Sequence, residues 1–318
     1  DVDDDQQQQE QEQQGGGEVV PAHWRIARKV LDLDALVFDE GGRFMSNKKV
    51  VLPPGTQRIP HKGYEEVQVP APARPPESEM PKLVPVTALP EWARGVFRPK
   101  GKGITHFNSM QSAVFQKAFF WADNLLIAAP TGSGKTNAAM LCVVQEIGLN
   151  RRQDGTIDRD MFKIVYIAPM KSLVQEMVLN FGNRLAPLGI QVRELSGDQN
   201  LTKQQISETQ IIVTTPEKWD VVTRHGSCRD EVRLIIIDEV HLLHDERGPV
   251  LEAVVARTNR YIEESQQMVR LVGLSATLPN YEDVAMLLRV EESGILHLGG
   301  VHRPVPLELR FLGVDWQK

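Results

Sequence analysis

The chain has 318 residues, of which 41% are hydrophobic and 25% are charged, and its formal net charge is −6. This composition is typical of a globular protein with a large core, and it excludes a global positive field as the means of attracting nucleic acid. The apolar runs fall short of the ~18 residues that span a bilayer, no secretory signal is visible, and Cys142 and Cys228 lack a metal-binding spacing, so we expect no membrane and a reducing compartment.

The first part of the chain lacks the pattern of a compact domain. Residues 1–18 are acidic, rich in Gln and contain three consecutive glycines, which predicts a disordered tail with little to bury. Residues 19–86 predict an extended N-terminal segment, because their many prolines forbid long helices and central strands. Within this proline-rich segment we expect a short helix at residues 24–38 and an edge strand at residues 64–70.

From residue 87 onward, apolar strands alternate with amphipathic helices. Six strands are predicted, within residues 124–129, 162–169, 190–195, 210–216, 233–238 and 269–277. Four helices are predicted between or after them, at residues 136–149, 172–185, 217–224 and about 247–264. This alternation is typical of an α/β fold with a mainly parallel sheet and helices on both faces.

A glycine-rich turn, "APTGSGKT", follows the first predicted strand and opens a helix, which is the context of a phosphate-binding P-loop. Its glycines let the backbone amides wrap around phosphates at a helix N-terminus. Lys135 is expected to reach the β- and γ-phosphates, and the Thr136 hydroxyl to bind Mg²⁺. The strict pattern has glycine where Ala129 stands, and the alternative is an ordinary strand-to-helix turn. The predicted ATP-binding residues of this loop are Ala129, Pro130, Thr131, Gly132, Ser133, Gly134, Lys135 and Thr136.

A second apolar strand, "LIII", ends abruptly in Asp238 and Glu239. Carboxylates at the end of a buried strand cost desolvation energy unless something uses them. In a parallel sheet the ligand lies at the carboxyl ends of the strands, so both acids are predicted beside the phosphates. Asp238 would then hold Mg²⁺ through water, and Glu239 would be the general base for the attacking water. The alternative is an acidic turn in which Glu239 caps the next helix.

Further motifs occur in a fixed order along the chain, namely "FNSMQSAVF", "APMKSLVQE", "ELSGD", "TTPEKWD", "DEVH" and "SAT". With the P-loop, they resemble a superfamily-two helicase, which implies a RecA-like P-loop NTPase domain at residues 87–304. The stretches "DEVHLLHDERGPVLEAVVART", "GLSATLPNYEDVAMLLRV" and "HRPVPLE" are similar to the Ski-like branch, particularly its very large two-cassette RNA helicases. The resemblance covers residues 47–313, and the intact motif residues favour the first RecA-like lobe of the active N-terminal cassette.

The resemblance implies roles for residues that the patterns alone do not assign. Gln111 would read the adenine edge. His241 would lie between the ATP site and the strand that ends in Ser275 and Thr277, although such a strand end is also a common turn. The implied catalytic set is Glu239, Asp238, Lys135, His241, Ser275 and Thr277. The candidates for contact with the RNA backbone are Pro169, Lys171, Thr215 and Lys218, and the alternative for each lysine is a solvated surface charge.

The resemblance also implies partners and a setting. One two-cassette helicase separates paired small nuclear RNAs in the spliceosome, which implies ATP, Mg²⁺, RNA and spliceosomal proteins as partners, and the nucleus as location. "KGYEEVQVPAP" and "LPEWARGVF" resemble that member, whereas "DEVH" also occurs in its sister in the activating signal cointegrator complex.

The sequence holds no second RecA-like lobe, so residues 305–318 are interpreted as the start of a linker to it. Without an arginine from that lobe, we expect slow hydrolysis and no unwinding by this chain alone. The alternative is a non-catalytic scaffold module with the same fold.

Overall fold

The computed structural model of the protein describes residues 52–73, 82–98, 103–195, 202–224 and 231–314. The predicted tail at residues 1–18, the predicted helix at residues 24–38 and Cys228 lie outside these ranges.

A seven-stranded parallel sheet forms the centre of the structure. Its strands are β3 (Leu125–Ala128), β4 (Lys163–Ile167), β5 (Val192–Leu195), β6 (Ile211–Thr214), β7 (Val232–Ile237), β8 (Arg270–Ser275) and β9 (Ile295–His297). Their spatial order is β5-β6-β4-β7-β8-β3-β9, and every neighbouring pair is parallel. The six predicted strands and the parallel sheet are confirmed, and β9 is a seventh strand that the sequence pattern did not reveal.

The helices connect these strands and cover the sheet. They are α1 (Glu91–Arg94), α2 (Ser109–Phe119), α3 (Lys135–Leu149), α4 (Lys171–Leu185), α5 (Lys203–Glu208), α6 (Pro216–Arg224), α7 (Gly248–Ser265) and α8 (Tyr281–Leu287). The four predicted helices correspond to α3, α4, α6 and α7. Helices α1, α2, α5 and α8 were not predicted, although α2 carries a capping box between Asn108 and Gln111 that marks its start. No described helix is long and apolar enough to cross a membrane.

Alternate residues of each strand pack into two separate apolar cores. On β4, Ile164 and Tyr166 face a core that includes residues of α2, α3 and α4, whereas Val165 and Ile167 face a core that includes residues of α6, α7 and α8. The central strands are therefore buried on both faces, which explains their nearly continuous apolar sequences. This two-sided packing confirms the predicted fold class and aligns the carboxyl ends of the strands along one edge of the sheet.

A smaller antiparallel sheet joins the two ends of the described chain. Strand β2 (Tyr64–Val69) lies between β1 (Gln57–His61) and β10 (Leu309–Val314). The predicted edge strand at residues 64–70 therefore exists, but its position at an edge is wrong, because β10 pairs with its second side. This partner strand lies within residues 305–318, for which the sequence predicts only the start of a linker. Pro60 is tolerated in β1 because β1 is an edge strand.

Candidate functional site

The P-loop connects β3 to α3 and is held by its own backbone and by β8. The amide of Ala129 donates to the carbonyl of Ser275 at 3.0 Å, and the amide of Ser133 donates to the carbonyl of Pro130 at 3.1 Å. Gly134 adopts a φ of 93°, a left-handed conformation that side chains rarely adopt. A Cβ atom at that position would also lie 2.3 Å from Nε2 of Gln111, so the end of that flexible side chain would have to move.

Lys135 lies inside this loop rather than in solvent. Its side chain is buried, and its Nζ donates to the carbonyl of Ala129 at 3.1 Å. Burial lowers the pKa of Lys135, and the charges of Glu239 and Asp238 act in the opposite direction. The charges of the two acids therefore act on the P-loop lysine. Since an ammonium group has three donors, Lys135 keeps donors for a phosphate.

Asp238 follows β7 directly and is oriented by two hydrogen bonds. The Tyr166 hydroxyl donates to Oδ2 at 2.7 Å, and the amide of Glu239 donates to Oδ1 at 3.0 Å. Burial raises the pKa of Asp238, while the Tyr166 bond opposes that rise. Burial, followed by the charge of Asp238, also raises the pKa of Tyr166 well above its usual value, so the hydroxyl stays a donor. Sequence reasoning missed Tyr166, since a tyrosine within an apolar strand shows no sign of its polar partner.

Glu239 has a strained backbone with a φ of 50°, which is uncommon for a residue other than glycine. Its Oε2 lies 3.3 Å from Nδ1 of His241, yet the two atoms lack hydrogen-bond geometry, and Oε2 is buried without a bonding partner. The same Nδ1 lies 3.4 Å from the amide of Ala276 and 3.5 Å from Oγ of Ser275. One imidazole nitrogen therefore faces both Glu239 and the end of β8.

Thr277 does not join this cluster, in contrast to Ser275. It is exposed, and no hydrogen bond joins its side chain to another of the residues described. The structure brings Lys135, Asp238, Glu239, His241 and Ser275 together and leaves Thr277 at the periphery.

Two unpaired buried atoms suggest what this site accommodates. Oγ of Ser133 and Oε2 of Glu239 are two of four buried side-chain polar atoms without a hydrogen-bond partner in the described part of the chain. Buried polar groups are normally paired, so two such atoms in one site indicate a ligand that bonds to them. The half-buried Thr136 hydroxyl lies in the first turn of α3. The glycine loop, lysine, hydroxyl and acids fit a magnesium nucleotide.

Gln111 lies against the P-loop, but its carboxamide already has partners. Its Oε1 accepts from the amide of Asn108 at 3.2 Å, and its Nε2 donates to the carbonyl of Gly134 at 3.2 Å. Asn108 reaches the same loop, because its Nδ2 donates to the carbonyl of Ser133 at 2.8 Å. These two amides fasten the start of α2 to the phosphate loop. To read an adenine edge, Gln111 would have to exchange one of these bonds.

The four RNA candidates lie on neighbouring loops at the same edge of the sheet. Pro169 is buried after β4 and Lys171 is exposed at the start of α4, whereas Thr215 and Lys218 are half-buried at the start of α6, after β6. Because β4 lies between β6 and β7, these loops lie beside the acidic pair.

Arg247, which sequence reasoning missed, links these two loops. Its guanidinium donates to the carbonyl of Pro169, and its Nε lies 3.3 Å from Oε1 of Glu217. Its position before α7 in "DERG" shows a charged turn but does not indicate either contact.

Comparison with known proteins places the chain in a family. Residues 108–284, more than half of the chain, match the DEAD/DEAH box helicase family. The chain is 57% identical over 292 residues to the activating signal cointegrator 1 complex subunit 3-like protein of Dictyostelium discoideum. It is 54% identical over 295 residues to the human U5 small nuclear ribonucleoprotein 200 kDa helicase, and 52% identical over 301 residues to the pre-mRNA-splicing factor brr2 of Schizosaccharomyces pombe.

These matches cover 91–93% of this chain but only 13–14% of the relatives, so the chain spans about one seventh of their length. Among solved structures, the DUF1998 helicase MrfA bound to DNA matches 78% of this chain and 34% of its own, with a TM-score of 0.59 and 20% identity, which supports the fold alone. The resemblance to the two-cassette helicases is confirmed by the high identity to these relatives. The chain belongs to the DEAD/DEAH box helicase family.

Proposed function

We propose that this chain is the ATP-binding lobe of an ATP-dependent RNA helicase and that its site binds and hydrolyses a magnesium nucleotide. The observation that carries this proposal is the position of the P-loop and the acidic pair, Asp238 and Glu239, at the same edge of the parallel sheet, where β3 and β7 both end with only β8 between them. A ligand with phosphates and a bound cation would account for the positive charge of Lys135 and for the negative charges of the two acids.

The residues of the site divide the chemistry among them. The P-loop amides and Lys135 would hold the β- and γ-phosphates, while Thr136 and Asp238 would hold Mg²⁺. Bound Mg²⁺ would neutralise charge that develops on the phosphate oxygens. Glu239 would orient the attacking water and accept its proton, which suits a buried carboxylate oxygen that makes no hydrogen bond within the described residues.

A series of contacts would couple the nucleotide site to the loops proposed to bind RNA. Ser275 accepts from the P-loop amide of Ala129 through its carbonyl, and its hydroxyl lies 3.5 Å from His241, which in turn contacts Glu239. Thr277 would take part only if its exposed hydroxyl gains a partner in the complete helicase. Gln111 would recognise adenine after it releases one of its present bonds.

RNA would bind across the loops that follow β4 and β6. Pro169, Lys171, Thr215 and Lys218 would contact the backbone of one strand, which permits movement along RNA without reading its bases. The names and identities of the splicing relatives support a small nuclear RNA duplex as substrate, spliceosomal proteins as partners and the nucleus as location. A second RecA-like lobe would complete the ATP site, so this chain alone would hydrolyse ATP slowly and would not unwind RNA.

A role in an activating signal cointegrator complex is the second candidate, since the relative with that name is 57% identical. Affinity purification of the complete protein from its own cells, with sequencing of the RNA and mass spectrometry of the proteins, separates the two. Recovery of small nuclear RNAs supports the splicing role. Recovery of cointegrator subunits without those RNAs supports the alternative.

The nucleotide site is tested by fluorescence titration of the 318-residue chain with mant-ADP, with and without Mg²⁺. We expect Mg²⁺-dependent binding that Lys135→Ala abolishes and that Lys62→Ala, a change at an exposed lysine in the β1–β2 turn, leaves unchanged. Equal affinity of the Lys135→Ala variant and the wild type would contradict the proposal. In the complete helicase, Glu239→Gln should remove ATP hydrolysis. An unchanged rate would favour the non-catalytic scaffold.

A further inference from the structure

A cavity of about 190 Å³ lies directly beside the phosphate loop. Its walls come from the N-terminal segment at Leu83, from the start of α2 at Asn108 and Ser109, and from residues 300–306 after β9. Because Asn108 also donates to the carbonyl of Ser133, the cavity and the P-loop share a wall. The segment after β9 thus borders the space beside the nucleotide site.

This segment is fastened in place by two hydrogen bonds. Nδ1 of His302 lies 2.9 Å from Oγ of Ser109, a buried residue in the first turn of α2. The amide of Arg303 donates to the carbonyl of Gly300 at 3.0 Å and closes a turn. Burial lowers the pKa of His302, so its neutral ring is favoured at neutral pH. The backbone at residue 303 is therefore held at a defined position.

The Arg303 side chain lies against the phosphate loop. Its Nη2 is 3.7 Å from the point where a Cβ atom would lie on Gly132. The side chain is half-buried, yet its guanidinium makes no hydrogen bond or ion pair within the ranges that the structure describes. By contrast, Arg247, Arg257 and Arg270 each bond to a carbonyl or a carboxylate. A guanidinium has five donors in a planar fork, a geometry that matches phosphate oxygens.

The geometry points to Arg303 as a phosphate-binding residue for the nucleoside di- or triphosphate in the P-loop. This inference rests on the proposed nucleotide site. Lys135 would approach the phosphates from within the loop, whereas Arg303 would approach from the segment after β9. That segment leads into β10. A contact between Arg303 and a bound phosphate would therefore hold the stretch of chain that connects the large sheet to the small sheet.

The test measures the affinities of the 318-residue chain for mant-ADP and mant-adenosine. We expect Arg303→Ala to weaken mant-ADP binding about tenfold or more, the usual worth of a charge-assisted hydrogen bond, and to leave mant-adenosine within about twofold. Arg303→Lys, which retains the charge but not the fork, should give an intermediate affinity for mant-ADP. Arg260→Ala removes an arginine from the exposed face of α7 and serves as the matched control.

Two results would overturn the inference. Unchanged mant-ADP affinity in Arg303→Ala would show that the guanidinium does not contact the nucleotide. An equal loss for mant-ADP and mant-adenosine would assign it to the base or the ribose instead. The proposed function fails separately, if the wild-type chain does not bind mant-ADP or if Lys135→Ala has no effect. If the circular dichroism of Arg303→Ala shows that this variant is not folded, Arg303→Lys serves as the test. An affinity of Arg303→Lys for mant-ADP equal to that of the wild type would then refute a role for the planar guanidinium.

Discussion

The hydrogen bond from Tyr166 to Asp238 permits a quantitative prediction about the stability of the site. Tyr166 is fully buried, and its hydroxyl donates to Oδ2 of Asp238 at 2.7 Å. Tyr166→Phe removes the donor, fits the same space and leaves a poorly solvated carboxylate with one partner fewer. A hydrogen bond to a charged group contributes about 1.5–3 kcal/mol. For a domain of this size each kcal/mol lowers the Tm by about 2–4 °C, so we expect a decrease of roughly 3–12 °C.

The assay is thermal unfolding followed by circular dichroism at pH 7.5, in a double-mutant cycle of Tyr166→Phe and Asp238→Asn. With asparagine at 238 the bond is no longer charge-assisted, so the phenylalanine should then cost only about 1 kcal/mol. Tyr64→Phe, at an exposed tyrosine stacked on His61, is the matched control and should leave the Tm unchanged. An equal loss of Tm in both Asp238 backgrounds, or no loss at all, would refute the reasoning.

Three further predictions concern the same edge of the sheet. Gly134→Ala should lower the Tm and abolish mant-ADP binding, because the left-handed backbone disfavours a Cβ atom and the carboxamide of Gln111 would have to leave the loop. Arg247→Ala should speed amide hydrogen exchange at the start of α4 without a change in mant-ADP affinity, because it releases the carbonyl of Pro169. Asp238→Asn should abolish Mg²⁺-dependent binding yet raise the Tm at neutral pH, because burial disfavours the ionised carboxylate.

The pH dependence of the last prediction follows from the raised pKa of Asp238. The folded state holds the proton more tightly than the unfolded chain, so this group's contribution to stability is complete below its ordinary pKa of 3.8 and is lost as pH rises through the folded pKa. The stabilisation by Asp238→Asn should therefore appear at neutral pH and disappear below about pH 4. Stabilisation that persists at low pH would contradict this cause.

For the other two variants, the contrary outcomes are equally concrete. A Gly134→Ala chain that binds mant-ADP like the wild type would show that the loop tolerates the Cβ atom. Unchanged hydrogen exchange at the start of α4 in Arg247→Ala would show that this arginine does not restrain the loop. Arg260→Ala is again a suitable control, since its ion pair with Glu264 lies on the exposed surface of α7.

The sequence alone determined the elements that depend on a few consecutive residues. Runs such as "LIII" are apolar on both faces, so they predict buried parallel strands, and the glycines of the P-loop predict a phosphate-binding turn. The carboxyl ends of parallel strands meet at one edge, so the approach of Lys135 to Asp238 followed from the strand assignments alone. The strands and the glycine turn are confirmed because periodicity and glycine conformation act over short distances along the chain, whereas phosphate binding stays a prediction.

Only the tertiary structure decided which distant residues meet. Strand β2 lies at the centre of its sheet because β10, about 240 residues later, pairs with its second side. The bonds of Tyr166 and Arg247, and the position of Arg303 against the P-loop, likewise join residues far apart in sequence. Such contacts depend on how the packed helices and strands orient individual side chains. Local residue patterns do not specify this orientation.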